Sequence, residues 1–264
     1  MNKELTYSTP EEEGVSSEYI INFLNEMEKR EAEIHGIMIL RNNRVIFEAY
    51  NEPYRKEIPH IVHSFTKCFT NTAVGIAYTK GLIKLEDKVL DYFPEYREAA
   101  NEYLQKLTIR NLLTMRSGQE RSIGGNEWRP LKTSWLDAYF KVPFVKEPGS
   151  EFMYSSGNSY ITSAIVQRIT GKTCHQLIEE ELAPYIGLEK FSWGESPEGI
   201  CSGGNGVSIT VEGMARLGLL YLNQGKWGEK QLLSADWVNL ALGKKDPQPR
   251  KAGEKDYNFH WTHT

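Results

Sequence analysis

Cysteine is scarce: the 264 residues carry three, Cys68, Cys174 and Cys201. They cannot all pair within the chain, and their wide spacing fits no metal cluster. No apolar run approaches the roughly 20 residues needed to cross a bilayer, so no membrane span is expected. The opening Met1-Asn2-Lys3-Glu4-Leu5-Thr6 lacks the apolar stretch of a secretion signal. Together these absences predict a reduced, cytoplasmic protein. Strong charge of one sign is missing too. Lys plus Arg number 31 against 35 Asp plus Glu, a formal net charge of −4, too mild and of the wrong sign for nucleic acid. Repeats and low-complexity tracts are absent. So is a G-x-S-x-G elbow, which argues against an α/β-hydrolase nucleophile. Gly171-Lys172-Thr173 has Val166 where a phosphate loop needs its leading glycine; a helix stop is the better reading, and no cofactor is expected.

What is present is an ordinary globular balance, 40% hydrophobic and 25% charged, in a chain long enough for one large domain or two joined ones. Ser16 and Ser17 can cap an amphipathic run with Ile20, Phe23, Leu24 and Met27 at helical spacing. Ile37–Leu40 and Val45–Phe47, joined by Arg41-Asn42-Asn43-Arg44, predict a β-hairpin, because asparagine tolerates the positive φ of a tight turn. Thr66–Tyr78 reads as a helix ended by Gly81. Leu107–Thr114 is a short apolar segment, and 119–130, with Gly124-Gly125, reads as a surface loop. The stripe Tyr160, Ile161, Ile165, Val166, Ile169 predicts a helix stopped by Gly171. After the cluster Gly203-Gly204-Asn205-Gly206, Thr210 can cap a further helix. Asp246–Pro249 reads as a polar linker, and Tyr257–Thr262 alternates like the start of a strand. A hairpin near one end and a strand at the other predict one sheet drawn from both termini. The expected fold is α+β, with a sheet unit of residues 1–62 and 205–264 around a mainly helical unit of 63–204.

One serine stands apart. Ser64-Phe65-Thr66-Lys67 is the only place where lysine follows serine by three positions. In the first turn of a helix these two share a face, so hydroxyl and ammonium can meet. Cys68, Phe69, Ala73 and Val74 imply a buried helix, where desolvation lowers a lysine's pKa toward a useful base. The helix N-terminus favours an alkoxide and a developing oxyanion. Composition alone gives roughly one such Ser/Lys pair in a chain of this length, so the motif needs support. Tyr154-Ser155-Ser156-Gly157-Asn158 offers a second piece: a phenol in a small-residue loop that can relay a proton if a nearby lysine lowers its pKa. The plainer reading is an anchored loop aromatic. His60 and His63 lie three apart, but no third residue has metal-ligand spacing. Ordinary polar histidines are the expected reading, and no metal site is assigned.

The order of these segments resembles the serine β-lactamase-related family of class C β-lactamases, DD-peptidases and related esterases. The resemblance rests on Ile39-Leu40-Arg41 in the hairpin, His63–Lys67, Gly81–Val89 and Leu107–Thr114 with Ser117-Gly118. It continues through Pro148-Gly149 with Phe152–Ser155, Ile165–Gly171, the glycine cluster before Thr210, and Asn223–Trp227. It implies the β-lactamase/transpeptidase-like fold. It also implies Ser64 as an acylated nucleophile, Lys67 as the group that helps remove its proton, and Tyr154 as general base or proton shuttle. Two departures bear on substrate binding. Where the family has tyrosine, any residue, then asparagine, this chain has Ser156, with Asn158 two residues late as a substitute. The family's Lys-Thr-Gly or His-x-Gly motif does not occur after Tyr154; His263 sits in that neighbourhood. The implied function is a serine hydrolase of β-lactams, D-amino-acid peptides or small esters and amides, small molecules in each case. The alternative is a truncated relative that only binds or acylates. A metal-dependent hydrolase using His60 and His63 is the third reading. Absence of the last strands would leave an open sheet edge through which the chain could self-associate.

Overall fold

The computed structural model describes residues 4–244, 256–259 and 261–263. The fold is α+β. The strands are β1 (Thr6–Tyr7), β2 (Gly36–Arg41), β3 (Arg44–Tyr50), β4 (His60–Ile61), β5 (Ser192–Trp193), β6 (Val207–Ile209), β7 (Lys226–Trp227), β8 (Lys230–Gln231), β9 (Asp256–Asn258) and β10 (Trp261–His263). The helices are α1 (Ser17–Lys29), α2 (Thr66–Thr79), α3 (Val89–Tyr92), α4 (Glu102–Lys106), α5 (Ile109–Leu113), α6 (Trp135–Phe140), α7 (Ser156–Thr170), α8 (Cys174–Glu181), α9 (Ala183–Ile186), α10 (Val211–Leu222) and α11 (Ala235–Ala241).

The predicted hairpin is β2–β3, antiparallel, with Asn42 and Asn43 at φ 50° and 64° in its turn. Mirror-image turns of this kind match the twist of the strands they join. β1 lies parallel to β3, so the sheet runs β1-β3-β2 with β2 at its edge. A second sheet has the order β4-β6-β5. The C-terminal strands β9 and β10 pair with each other. Among the described residues, then, strands from the two ends of the chain form separate ladders rather than the single sheet expected. β5 lies inside the stretch expected to be helical, yet it pairs with β6.

The core gathers around α2. Every residue from Thr66 to Ala77 is buried, and α7, α8 and α11 all pack against this one helix. Gly81, at φ 70°, ends the helical run as its position predicted, and Gly171 does the same for α7. Thr210 caps α10, accepting from the Gly213 N–H at 3.1 Å. Residues 119–130 are more than a surface loop. Ile123 and Trp128 are buried in the core, and the Ile123 carbonyl accepts from Gly157 N at 2.8 Å. All three cysteines are free and buried. No described helix is long and apolar enough to cross a membrane. Asp246–Pro249 falls outside the described residues.

Candidate active site

The site begins where β4 ends. A 3₁₀ turn, His63–Phe65, runs directly into α2. Residues three apart share a face of a helical turn, which brings Lys67, in the first turn of α2, against the exposed Ser64. His63 holds φ 41° without being glycine, a left-handed conformation that concentrates at functional sites.

Lys67 is 1% exposed, and its ammonium has three acceptors. Nζ donates to Ser64 Oγ at 3.3 Å, to Ser156 Oγ at 3.3 Å and to the Gly204 carbonyl at 2.7 Å. No carboxylate is among them, so burial is uncompensated and pushes the lysine down to about 8. Tyr154 hydrogen-bonds Ser64 through its side chain, and Lys67 Nζ lies 4.7 Å from the centre of its ring. The expectation that a nearby lysine lowers the phenol's pKa is reversed. Burial raises it, with the Ser64 hydrogen bond opposing. Near neutral pH the phenol therefore stays protonated, and the amine is the easier of the two to bring to its basic form.

Ser64, Lys67, Tyr154 and Ser156 thus meet at one point. Asn158 does not join them. It is fully buried within α7, where Oδ1 accepts from the Tyr139 hydroxyl at 2.9 Å and Nδ2 donates to Met115 Sδ at 3.6 Å. Both ends of its amide are spent on the core, so it is no substitute for the family's asparagine. His60 and His63 point to different neighbours. His60 Nδ1 is 3.4 Å from His35 Nδ1, with Tyr54 stacked on His35, whereas His63 lines a groove. No cluster of three or more His, Cys, Asp or Glu able to hold a metal occurs among the described residues.

That groove, about 750 Å³, runs from His63 past Trp135 and Trp193, with Arg129 and Glu195 on its walls. Sequence reasoning missed the Gly203–Gly206 loop as part of the site. The glycine cluster was visible, but a backbone carbonyl leaves no trace in a sequence. The loop passes so close to the tyrosine motif that position 204 has no room for a side chain: a Cβ on Gly204 would lie 2.7 Å from Ser156 Cβ.

The Beta-lactamase family model matches residues 24–264. The chain belongs to that family. Within it, the chain is 24% identical over 256 residues to the 6-aminohexanoate-dimer hydrolase of Paenarthrobacter ureafaciens, covering 89% of this chain and 64% of that protein. It is also 24% identical over 178 residues to the D-alanyl-D-alanine-carboxypeptidase/endopeptidase AmpH of Escherichia coli K12, covering 62% of this chain and 46% of the other. The structure of the octameric penicillin-binding protein homologue from Pyrococcus abyssi superposes with a TM-score of 0.73 at 16% identity, over 94% of this chain and 65% of that one. This likeness shows the β-lactamase/transpeptidase fold. The chain spans less than two-thirds of the length of either relative.

Proposed function

We propose that the protein is a serine hydrolase that works through an acyl-enzyme on a small amide, ester or β-lactam. The observation that carries this reading is the lysine. It is buried, has no counter-ion among the described residues, and lies 3.3 Å from the hydroxyl of an exposed serine. In its neutral form the Lys67 amine takes the Ser64 proton as Oγ attacks the substrate carbonyl. The new C–O bond forms as the carbonyl π electrons move onto oxygen. The N-terminal end of α2 favours this negative charge through the positive end of its dipole. The Tyr154 phenol then gives its proton to the leaving nitrogen or oxygen, and Lys67 returns a proton to the phenolate. Water attacks the ester on Ser64 in the second half. Ser156, beside Lys67, supplies the hydrogen bond to the acyl group that asparagine supplies in the family motif. The groove beyond His63 takes the acyl chain. The two hydrolases named above motivate amide substrates first.

The test is intact-protein mass spectrometry before and after exposure to a penicillin and to an activated ester. The expected result is a covalent adduct that is absent from Ser64→Ala, with ester consumed over many turnovers. An adduct that never clears would place the chain with acylation-only binders. Ester hydrolysis unchanged in Ser64→Ala would end the proposal.

A further proposal concerns assembly: copies of the chain associate through β2. Among the described residues this strand stands at the edge of its sheet, and Ile37, Met38, Ile39 and Leu40 are four successive apolar residues of which none is fully buried. Edge strands of this kind are templates for pairing.

A further inference from the structure

Lys67 must not only lose a proton; its lone pair must face Ser64. A neutral amine has two N–H donors and one lone pair, and it stands among three oxygens. Two of them, on Ser64 and Ser156, are hydroxyls that can donate or accept. The third, the Gly204 carbonyl, can only accept. It is also the nearest, at 2.7 Å against 3.3 Å for each hydroxyl. It therefore claims one N–H and fixes the rotation of the amine, leaving one hydrogen and the lone pair to be divided between the two serines.

What holds that carbonyl in place is on the same helix. Thr70, fully buried one turn beyond Thr66, donates from Oγ1 to the Gly203 carbonyl at 2.6 Å. A threonine inside a helix ordinarily turns its hydroxyl back to the carbonyl four residues earlier. Thr72 does so, bonding Cys68 O at 2.7 Å. Thr70 instead spends its hydroxyl on a loop 133 positions away. Thr66 pins the far end of the same loop by accepting from Val207 N at 3.1 Å. The loop cannot adapt by substitution, since Gly203 sits at φ 66° and a Cβ there would lie 2.3 Å from Ser159 O.

We propose that Thr70 is a positioning residue: by holding the Gly203 carbonyl it sets the neighbouring Gly204 carbonyl, which aims the Lys67 amine at Ser64. This rests on the acyl-enzyme reading above. The experiment is single-turnover acylation of the whole chain by an activated ester, in wild type, Thr70→Val and Thr70→Ser. Thr70→Val keeps the shape and loses the hydroxyl. It should slow acylation about tenfold or more, as a misaimed catalytic group does, with half-saturation by the ester unchanged. Thr70→Ser should restore most of the rate. A wild-type rate in Thr70→Val, or equal losses in both variants, would overturn the proposal. Should Thr70→Val not fold, Thr70→Ala is read in the same way. Loss of folding in both would overturn the proposal in favour of a purely structural hydroxyl. A second readout separates this idea from the function it rests on. In protein labelled with ¹³C-lysine, with the Lys67 signal assigned by Lys67→Arg, the titration midpoint should move in Thr70→Val and stay in Thr70→Ser. If wild type forms no adduct, the acyl-enzyme reading fails, and an unmoved Lys67 midpoint in Thr70→Val would sink the positioning role as well.

Discussion

A buried lysine without a counter-ion is costly, and the size of that cost is a prediction. Folding lowers Lys67 from the ordinary lysine value of 10.5 to about 8. Between those two pH values the unfolded chain binds the extra proton and the folded chain does not. Stability therefore rises with pH across that window, and below it the full penalty of about 3 kcal/mol applies. Lys67→Met removes the group. It should be more stable than wild type at pH 7, with the advantage shrinking as pH climbs from 8 to 10.5, and it should not acylate. Denaturant unfolding at several pH values checks this; a constant difference across the window would show that the lysine is not desolvated as described. The same value requires wild-type acylation to rise with pH through a midpoint near 8 and to level off above it. Ser64, Lys67 and Tyr154 were legible as candidates because their chemistry belongs to side chains, and the family resemblance lent weight to a spacing that alone needed support. Gly204 and Thr70 were not. One contributes a carbonyl that every residue has, and the other a hydroxyl whose target is distant in sequence. Asn158 misled because the right residue type near the right position was taken by the core.

At the scale of elements, local rules carried furthest where a turn or cap decides the matter. The Asn42-Asn43 hairpin, the Ser16 and Thr210 caps, and the glycine stops at Gly81 and Gly171 each stand where their residues require. Long-range choices were not local in this sense. The burial of Ile123 and Trp128 in a glycine-bearing stretch depends on α7 being there to receive it, and the pairing of β5 with β6 depends on residues brought close by the fold. Helix α2 tests how tightly such elements meet. Gly75 faces the indole of Trp237 on α11, where an added Cβ would lie 2.3 Å from Nε1 and 2.5 Å from Cδ1. The ring cannot retreat easily, since Trp237 is fully buried between Tyr78 and Phe259, with ring centres 5.2 and 5.6 Å away. Gly75→Ala gains about 1 kcal/mol of helix propensity and incurs an overpacking cost of about 1–3 kcal/mol. With the ring held on both sides the cost falls at the upper end. The expected outcome is a melting temperature lower by a few degrees, measured by calorimetry. An increase would mean that α11 shifts freely against α2.

For the whole molecule, α2 links the parts of the chain that matter. The turn that leads into it carries Ser64, its residues Thr66, Lys67 and Thr70 hold the glycine loop, and Asn71 reaches the turn between β9 and β10, donating to the Phe259 carbonyl at 2.7 Å. The N-terminal layer is held less completely. A cavity of about 490 Å³ lies between α1 and the β2–β3 hairpin, and Tyr19, Ile21 and Phe23 on α1 are exposed at 72%, 55% and 40%. Apolar surface next to an apolar edge strand favours association over solvation. We propose, as the sequence suggested, that residues 1–62 and 205–264 form one unit and 63–204 the other. The side chains gathered at Ser64 are Lys67, Tyr154 and Ser156, and none of the exposed residues of α1 or β2 is among them. Light scattering over a wide concentration range should then show a mass that grows with concentration, while acylation per chain stays constant because the associating face and the nucleophile are separate. A monomer throughout would remove the proposal for β2, and a loss of acylation on dilution would place the nucleophile at the contact.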